Sequence, residues 1–239
     1  MVSYDPEIYR NVPLLPLVIP KLERLNISDI LGTVGRVFVK HGVFSDFGFL
    51  VAHRHFDLDS DEILVDFDSS DGQISVALPW KFHSKVNKVQ GPGNLDHFES
   101  FGLSRDNKGA TSVLAMTWAF DSDGDIHPFE FEMRGDGETS HREPPPPAFV
   151  ADLFATLKRL GVENIFGLRR CAPKFWETTD DAKRANISHF GDVPIPLELR
   201  DKMKVIYWSF NATGESKVNG ICVGCTCSAH GDGNSCNCK

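Results

Sequence analysis

The stretch FGFLVAHRHF at residues 47–56, followed by EILVDF at 62–67 and QISVALPWKF at 73–82, decides the predicted fold. The three runs are rich in Val, Ile, Leu and Phe and are separated by Asp, Ser and Gly, a pattern typical of short β-strands joined by turns. The same pattern returns at residues 111–120 and 126–133, on either side of the acidic turn DSDGD, and again at 204–210. Because Asp and Gly favour hairpin turns, we expect an antiparallel sheet, arranged as a meander or barrel-like.

Apolar residues at helical spacing are found in three other segments. Residues 26–40 carry them behind Ser28, a candidate N-cap, and residues 149–160 carry them between four prolines and Gly161, a candidate C-cap. Residues 179–189 form a third candidate helix. We therefore predict a single α+β globular domain in residues 1–219, with the antiparallel sheet packed against two to four helices, and a separate cysteine-rich tail in residues 220–239.

The composition excludes several classes of partner. The chain has 25 Lys and Arg against 33 Asp and Glu, a formal charge of −8, and no basic run, so nucleic acid is not an expected partner. The first twenty residues lack the basic start and cleavage site of a signal peptide. Since no apolar run approaches the roughly 18 residues that span a bilayer, no membrane segment is expected. One cysteine lies in the body and five in the last eighteen residues, which favours a reducing, cytoplasmic location.

Two segments about ninety residues apart share a pattern, WAFDSDGD at 118–125 and WSFNATGE at 208–215. Residues two apart on a strand share a face, so each segment places two aromatic rings in one layer. The favoured interpretation is two equivalent core strands that each end in a turn. A duplication and an aromatic ligand cage are the alternatives.

The tail concentrates thiols and one imidazole within seventeen residues. Closely spaced thiolates suit a soft cation, so zinc is the expected ion, and a copper(I) or zinc cluster in the manner of metallothioneins is the alternative. A disordered tail with redox-labile thiols or partial disulfides would account for the same spacing. The candidate ligands are Cys222, Cys225, Cys227, His230, Cys236 and Cys238.

A second candidate metal site lies in the first strand segment. Strand alternation places His53 and His55 on one face, about 7 Å apart, where two imidazoles can bind one unidentified divalent ion. Glu130 and Glu132, on the predicted acidic hairpin, are the candidate acidic ligand or general base, whereas His127 faces the other way. Histidines that are hydrogen-bonded to structural partners are the alternative.

The histidine segment resembles the first half of the cupin metal motif, in which a histidine pair on a strand is completed by a glutamate and a distant histidine. This resemblance implies a bound metal, although Glu62 lies farther along the chain than the cupin pattern places its glutamate. Residues 48–62 also resemble a group of uncharacterised fungal proteins that share such a histidine segment and a cysteine-bearing end. That second resemblance implies no function.

Two functions are expected from these sites. The first is a metal-binding protein that acts as a metal-dependent enzyme on a small molecule at His53 and His55. The alternative is a non-enzymatic binding or interaction protein with a structural zinc or copper thiolate tail. In both cases the expected partner is a small-molecule ligand.

Overall fold

A computed structural model of the chain describes residues 6–68, 72–83, 88–90, 113–133 and 143–223. The α-helices of these residues are α1 (Pro6–Asn11), α2 (Leu15–Leu22), α3 (Ile27–His41) and α4 (Pro147–Leu160). The strands before α4 are β1 (Phe47–Val51), β2 (Glu62–Asp68), β3 (Ile74–His83), β4 (Lys88–Gln90), β5 (Val113–Phe120) and β6 (Ile126–Met133). The strands after α4 are β7 (Phe166–Arg170), β8 (Phe175–Asp180), β9 (Ala185–Phe190), β10 (Met203–Phe210) and β11 (Ser216–Val223).

Ten of these strands form a closed barrel. Their order is β2-β6-β5-β7-β1-β10-β11-β8-β9-β3, and β2 also pairs with β3, which closes the ring. The short strand β4 pairs with β3 outside the ring. The predicted α+β fold, an antiparallel sheet arranged as a meander or barrel-like and packed against two to four helices, is therefore wrong. The sheet is also mixed, because β2 runs parallel to β6 and β8 runs parallel to β11.

The helices identify the outer face of this barrel. The ring of Phe38 on α3 lies 4.9 Å from that of Phe149 on α4 and 4.7 Å from that of Phe210 on β10. Phe47 on β1 also contacts Phe149. Paired residues of neighbouring strands share a face, so the residues in register with Phe47 and Phe210 also point outward. The residues on the other face of each strand therefore point into the barrel interior. That interior carries buried polar side chains, namely Asp66, Ser75, Thr117, Arg169, Glu177, Thr179, Asn186 and Ser188.

The barrel has an internal twofold repeat. Strands β1 and β7 pair antiparallel with Phe49 opposite Leu168. Phe49 also pairs with Trp208 on β10, and Leu168 pairs with Trp118 on β5. The strand order around the ring stays the same when each strand is exchanged with its counterpart: β1 with β7, β2 with β8, β3 with β9, β5 with β10 and β6 with β11. The chain therefore contains two successive units of one helix and five barrel strands.

The repeated sequence pattern falls on equivalent hairpins of the two units. In the β5–β6 turn the carboxylate of Asp121 accepts hydrogen bonds from the backbone N–H groups of residues 123, 124 and 125. In the β10–β11 turn the side-chain oxygen of Asn211 accepts them from Thr213 and Glu215. Both segments lie on core strands that end in the same turn, as the favoured interpretation predicted, and the repeat of the strand order agrees with the duplication alternative.

Two of the predicted helices are confirmed and one is wrong. Helices α3 and α4 match residues 26–40 and 149–160, and Gly161 ends α4 in the left-handed conformation, although Asn26 rather than Ser28 is the N-cap of α3. The predicted helix over 179–189 is instead the end of β8, a 3₁₀ turn and β9. Asp180 accepts a hydrogen bond from the backbone N–H of Lys183, which favours that turn over a helix. Among the described helices, none has both the length and the apolar character needed to cross a bilayer.

Candidate metal centre

The histidine segment leaves β1 and crosses towards β8. Strands β10 and β11 separate β1 from β8 in the ring, so the chain after Val51 must leave its place in the sheet to reach β8. Arg54 holds the segment in place: its backbone N–H donates to the carbonyl of Pro13 and its Nε donates to the carbonyl of Val12. Because residues at odd and even positions point opposite ways, His53 and His55 share the other side.

These two histidines meet Glu177 of β8 in the barrel interior. The Nε2 atom of His55 lies 3.1 Å from Oε1 of Glu177, and Nε2 of His53 lies 3.5 Å from the same oxygen. The candidate ligand atoms of the three residues all lie within 4.8 Å of one another. Exposure of the three side chains is only 4–5%. The structure therefore contains a buried His-His-Glu group that could bind a metal ion.

The hydrogen bonds of His53 leave one ring nitrogen without a partner. Its Nδ1 lies 2.8 Å from the carbonyl oxygen of Val51, which can only accept, so Nδ1 carries a hydrogen. Its buried Nε2 has no hydrogen-bond partner among the described residues. In the neutral ring this nitrogen presents a lone pair towards the oxygen of Glu177. Two facing lone pairs repel, so a cation between them, a proton or a metal ion, is required.

Neighbouring side chains fix the other two members of the group. The hydroxyl of Thr179 lies 2.8 Å from Nδ1 of His55, so Nε2 of that ring faces Glu177. The amide of Asn186 donates to Oε2 of Glu177 at 3.1 Å, which turns Oε1 towards the two imidazoles. Such outer hydrogen bonds orient the ligands of protein metal sites and set the histidine tautomer.

The group is arranged to attract a positive charge. Burial raises the pKa of Glu177, but the nearby imidazoles of His53 and His55 lower it by more, so the net pKa lies well below its usual range. Burial lowers the pKa of His53, and the Glu177 carboxylate outweighs this effect, so the net pKa is raised. Glu177 is therefore ionised, and a buried carboxylate requires a counter-charge close by.

The predicted acidic residues lie apart from this group. Glu130 is on the inner wall at β6, where it accepts a hydrogen bond from Thr117 at 2.6 Å and lies 3.4 Å from Arg169. It still acts on His53 through charge, because it contributes to the raised pKa of that imidazole. Glu132 lies farther along β6, in register with Asp66. Neither glutamate belongs to the His-His-Glu group.

The predicted zinc thiolate tail has no support. Cys222 belongs to β11 and is 1% exposed in the hydrophobic core, so it is part of the barrel. The other predicted ligands lie outside the described residues, namely Cys225, Cys227, His230, Cys236 and Cys238.

Glu177 is the member of the group that sequence reasoning missed. Residues FWETTD at 175–180 form β8, and their alternation places Phe175, Glu177 and Thr179 on one face. This short alternation was the sequence signal that could have predicted a strand with Glu177 facing inward. It was not recognised, because residues 179–189 were predicted to be a helix.

No protein-family model, curated protein or solved structure matches this chain. Its class is defined by the fold and the site alone: a closed ten-stranded barrel with a buried His-His-Glu group suited to a metal ion. The resemblances to cupins and to the fungal proteins stay predictions.

Proposed function

We propose that the protein binds one divalent transition-metal ion through His53, His55 and Glu177, and that the bound ion acts on a small molecule. The observation that carries the proposal is the unpartnered Nε2 of His53, which lies 3.5 Å from a buried carboxylate oxygen. A metal ion between the two atoms would satisfy both.

The spacing of the donor atoms supports this proposal. Donors bound at about 2.1 Å to one ion lie roughly 3.0 to 3.4 Å apart in octahedral or tetrahedral geometry. The two measured separations from Oε1 of Glu177, 3.1 and 3.5 Å, are close to that range. Only small shifts of the side chains would therefore complete the site.

The donor set also supports a chemical role. Two imidazoles and one carboxylate form the set that non-haem iron(II) oxygenases use, and it leaves coordination positions open. An ion with open positions can activate water or polarise a substrate oxygen. A structural role is the second candidate, favoured by the burial of all three ligands. In that role the ion would fasten the segment after β1 to β8.

Cobalt(II) binding to the full-length chain tests the proposal. The four tail cysteines are replaced by serine, because thiolates would bind the same ion, and the visible absorption of Co²⁺ reports binding. We expect one equivalent to bind, and His53→Gln to remove most of the affinity. His127→Gln is the matched control, since His127 lies on the β5–β6 hairpin and contacts Asp121.

The outcomes separate the alternatives. Stoichiometric binding that depends on His53 and not on His127 supports the metal site. If the chain with the four serine replacements and no other change binds no Co²⁺, a proton is left as the cation between His53 and Glu177, and the proposal fails. If removal of Co²⁺ lowers the melting temperature but does not change the turnover of any small molecule, the structural role is favoured.

A further inference from the structure

A buried arginine lies in the same interior as the candidate metal centre. The side chain of Arg169, on β7, is 8% exposed, and its guanidinium carbon lies 5.2 Å from the centre of the Phe175 ring. Phe175 precedes Glu177 by two residues on the same face of β8, a spacing of about 7 Å. Since β1, β10 and β11 lie between β7 and β8 in the ring, Arg169 reaches across the interior to the side chain that precedes the metal ligand on the inward face of β8.

The guanidinium of Arg169 has one unpartnered N–H group and only long contacts to its neighbouring carboxylates. Its Nε–H has no hydrogen-bond partner among the described residues, and its closest carboxylate oxygens lie at 3.4 Å on Glu130 and 3.6 Å on Asp66. Both carboxylates also accept shorter hydrogen bonds, from Thr117 and Ser75 respectively. A guanidinium carries five donors, and buried donors in native proteins are almost always bonded to protein, water or ligand.

The interior holds a second orphaned group next to the metal centre. The side-chain oxygen of Asn186, whose amide holds Glu177, is buried without a hydrogen-bond partner in the described chain. Together with Nε2 of His53 and Nε of Arg169, it makes three unpartnered buried polar atoms on one inner surface. Such a set points to a polar molecule held among them.

We propose that the interior binds a short carboxylic acid, whose carboxylate is held by the guanidinium of Arg169 while a second oxygen approaches the metal. The inference rests on the proposed metal site and names the substrate class of that site. A planar guanidinium matches a carboxylate with two parallel N–H···O bonds, which an ammonium group does not reproduce.

The protonation of Asp66 supports a negatively charged ligand. Burial raises the pKa of Asp66 to about 7, so this carboxyl is largely uncharged in slightly acidic solution. Under that condition one of the two carboxyls beside the Arg169 guanidinium carries no charge. A ligand carboxylate would supply a negative partner in its place.

The experiment uses the full-length chain with the four tail cysteines replaced by serine, loaded with Co²⁺, and three matched comparisons. Glycolate is the probe, glycolamide is the neutral molecule of the same size, and Arg169→Lys keeps the positive charge while removing the planar fork. We expect glycolate to shift the visible absorption of Co²⁺ in a saturable way, at least about tenfold more tightly than glycolamide. We expect Arg169→Lys to weaken glycolate by about tenfold and to leave Co²⁺ affinity nearly unchanged.

Each result decides the inference. Equal affinities for glycolate and glycolamide would overturn it, and so would glycolate binding that is indifferent to Arg169→Lys. Either of these results, with Co²⁺ still bound, leaves the metal site intact. A chain that binds no Co²⁺ overturns both proposals. The glycolamide comparison needs no variant, so it decides even where Arg169→Lys fails to fold.

Discussion

Replacing Glu177 by glutamine removes the single negative charge of the proposed metal group while preserving the shape of the side chain. Glu177 is 3% exposed, so water cannot readily take the place of the lost donor. Loss of an outer-shell partner already costs ten- to a hundredfold in metal affinity, and a direct ligand costs more. We therefore expect Glu177→Gln to weaken Co²⁺ binding by at least about a hundredfold, or about 2.7 kcal/mol.

The assay is a Co²⁺ titration followed by visible absorption, with Glu132→Gln as the matched control. Glu132 is the inner-wall acid that the sequence also indicated, and it lies outside the His-His-Glu group. The control should keep wild-type affinity within about twofold, because an ordinary substitution away from a special site changes free energy by about 0.5 kcal/mol at most. Equal losses in both variants, or none in Glu177→Gln, would refute the assignment of Glu177 as a ligand.

Three further predictions follow from other parts of the barrel. Thr179→Val removes the hydroxyl that orients His55 and should weaken Co²⁺ by about tenfold, measured by the same titration; unchanged affinity would contradict that role. Asp66 has a folded pKa of about 7, above its unfolded value of about 3.9. The folded state thus holds a proton that the unfolded state releases, and unfolding free energy falls as pH rises between these values, by up to about 4 kcal/mol. Asp66→Asn should reduce the difference between the unfolding free energies measured with urea at pH 5 and at pH 8. An unchanged difference would contradict the raised pKa of Asp66. Gly35→Ala places a Cβ against the backbone carbonyl of Gly214 and should lower stability by about 1 to 3 kcal/mol, whereas Gly32→Ala, in open space on the same helix, should not; equal stabilities would contradict the packing.

Local sequence patterns predicted much of the secondary structure. Helices α3 and α4 each place apolar residues at a spacing of 3 and 4, and strands β2, β3, β5 and β6 show the β-branched and aromatic composition of strands. Five strands were missed, because each is short or carries charged and polar residues such as Arg169 and Glu177: β4, β7, β8, β9 and β11. A polar interior removes the apolar alternation by which strands are recognised.

Closure of the sheet could not be predicted from local pattern. Besides the local β2–β3 hairpin, it depends on the pairings of β2 with β6 and of β3 with β9, which are contacts between segments far apart in the chain. The repeated WAFD and WSFN segments were the one sequence feature that indicated closure of the sheet. Their equivalence implies two units of like topology, and two such units close the ring.

The candidate site was also only partly predicted, because its third member comes from a distant segment of the chain. His53 and His55 are two residues apart, so their shared face follows from alternation. Glu177 is 122 residues beyond His55, and only the fold brings it within 3.1 Å. The predicted acids Glu130 and Glu132 lie on the inner wall as neighbours of the site rather than as members of the group.

X-ray absorption spectroscopy of the metal-loaded, full-length protein, with the four tail cysteines replaced by serine, tests the central claim most directly, because it identifies the atoms bound to the ion. We predict a first shell of nitrogen and oxygen at about 2.0 to 2.2 Å, with the outer-shell scattering of two imidazole rings and no sulfur. A shell of sulfur at about 2.3 Å, or scattering from fewer than two imidazoles, would contradict the binding of the ion by His53, His55 and Glu177.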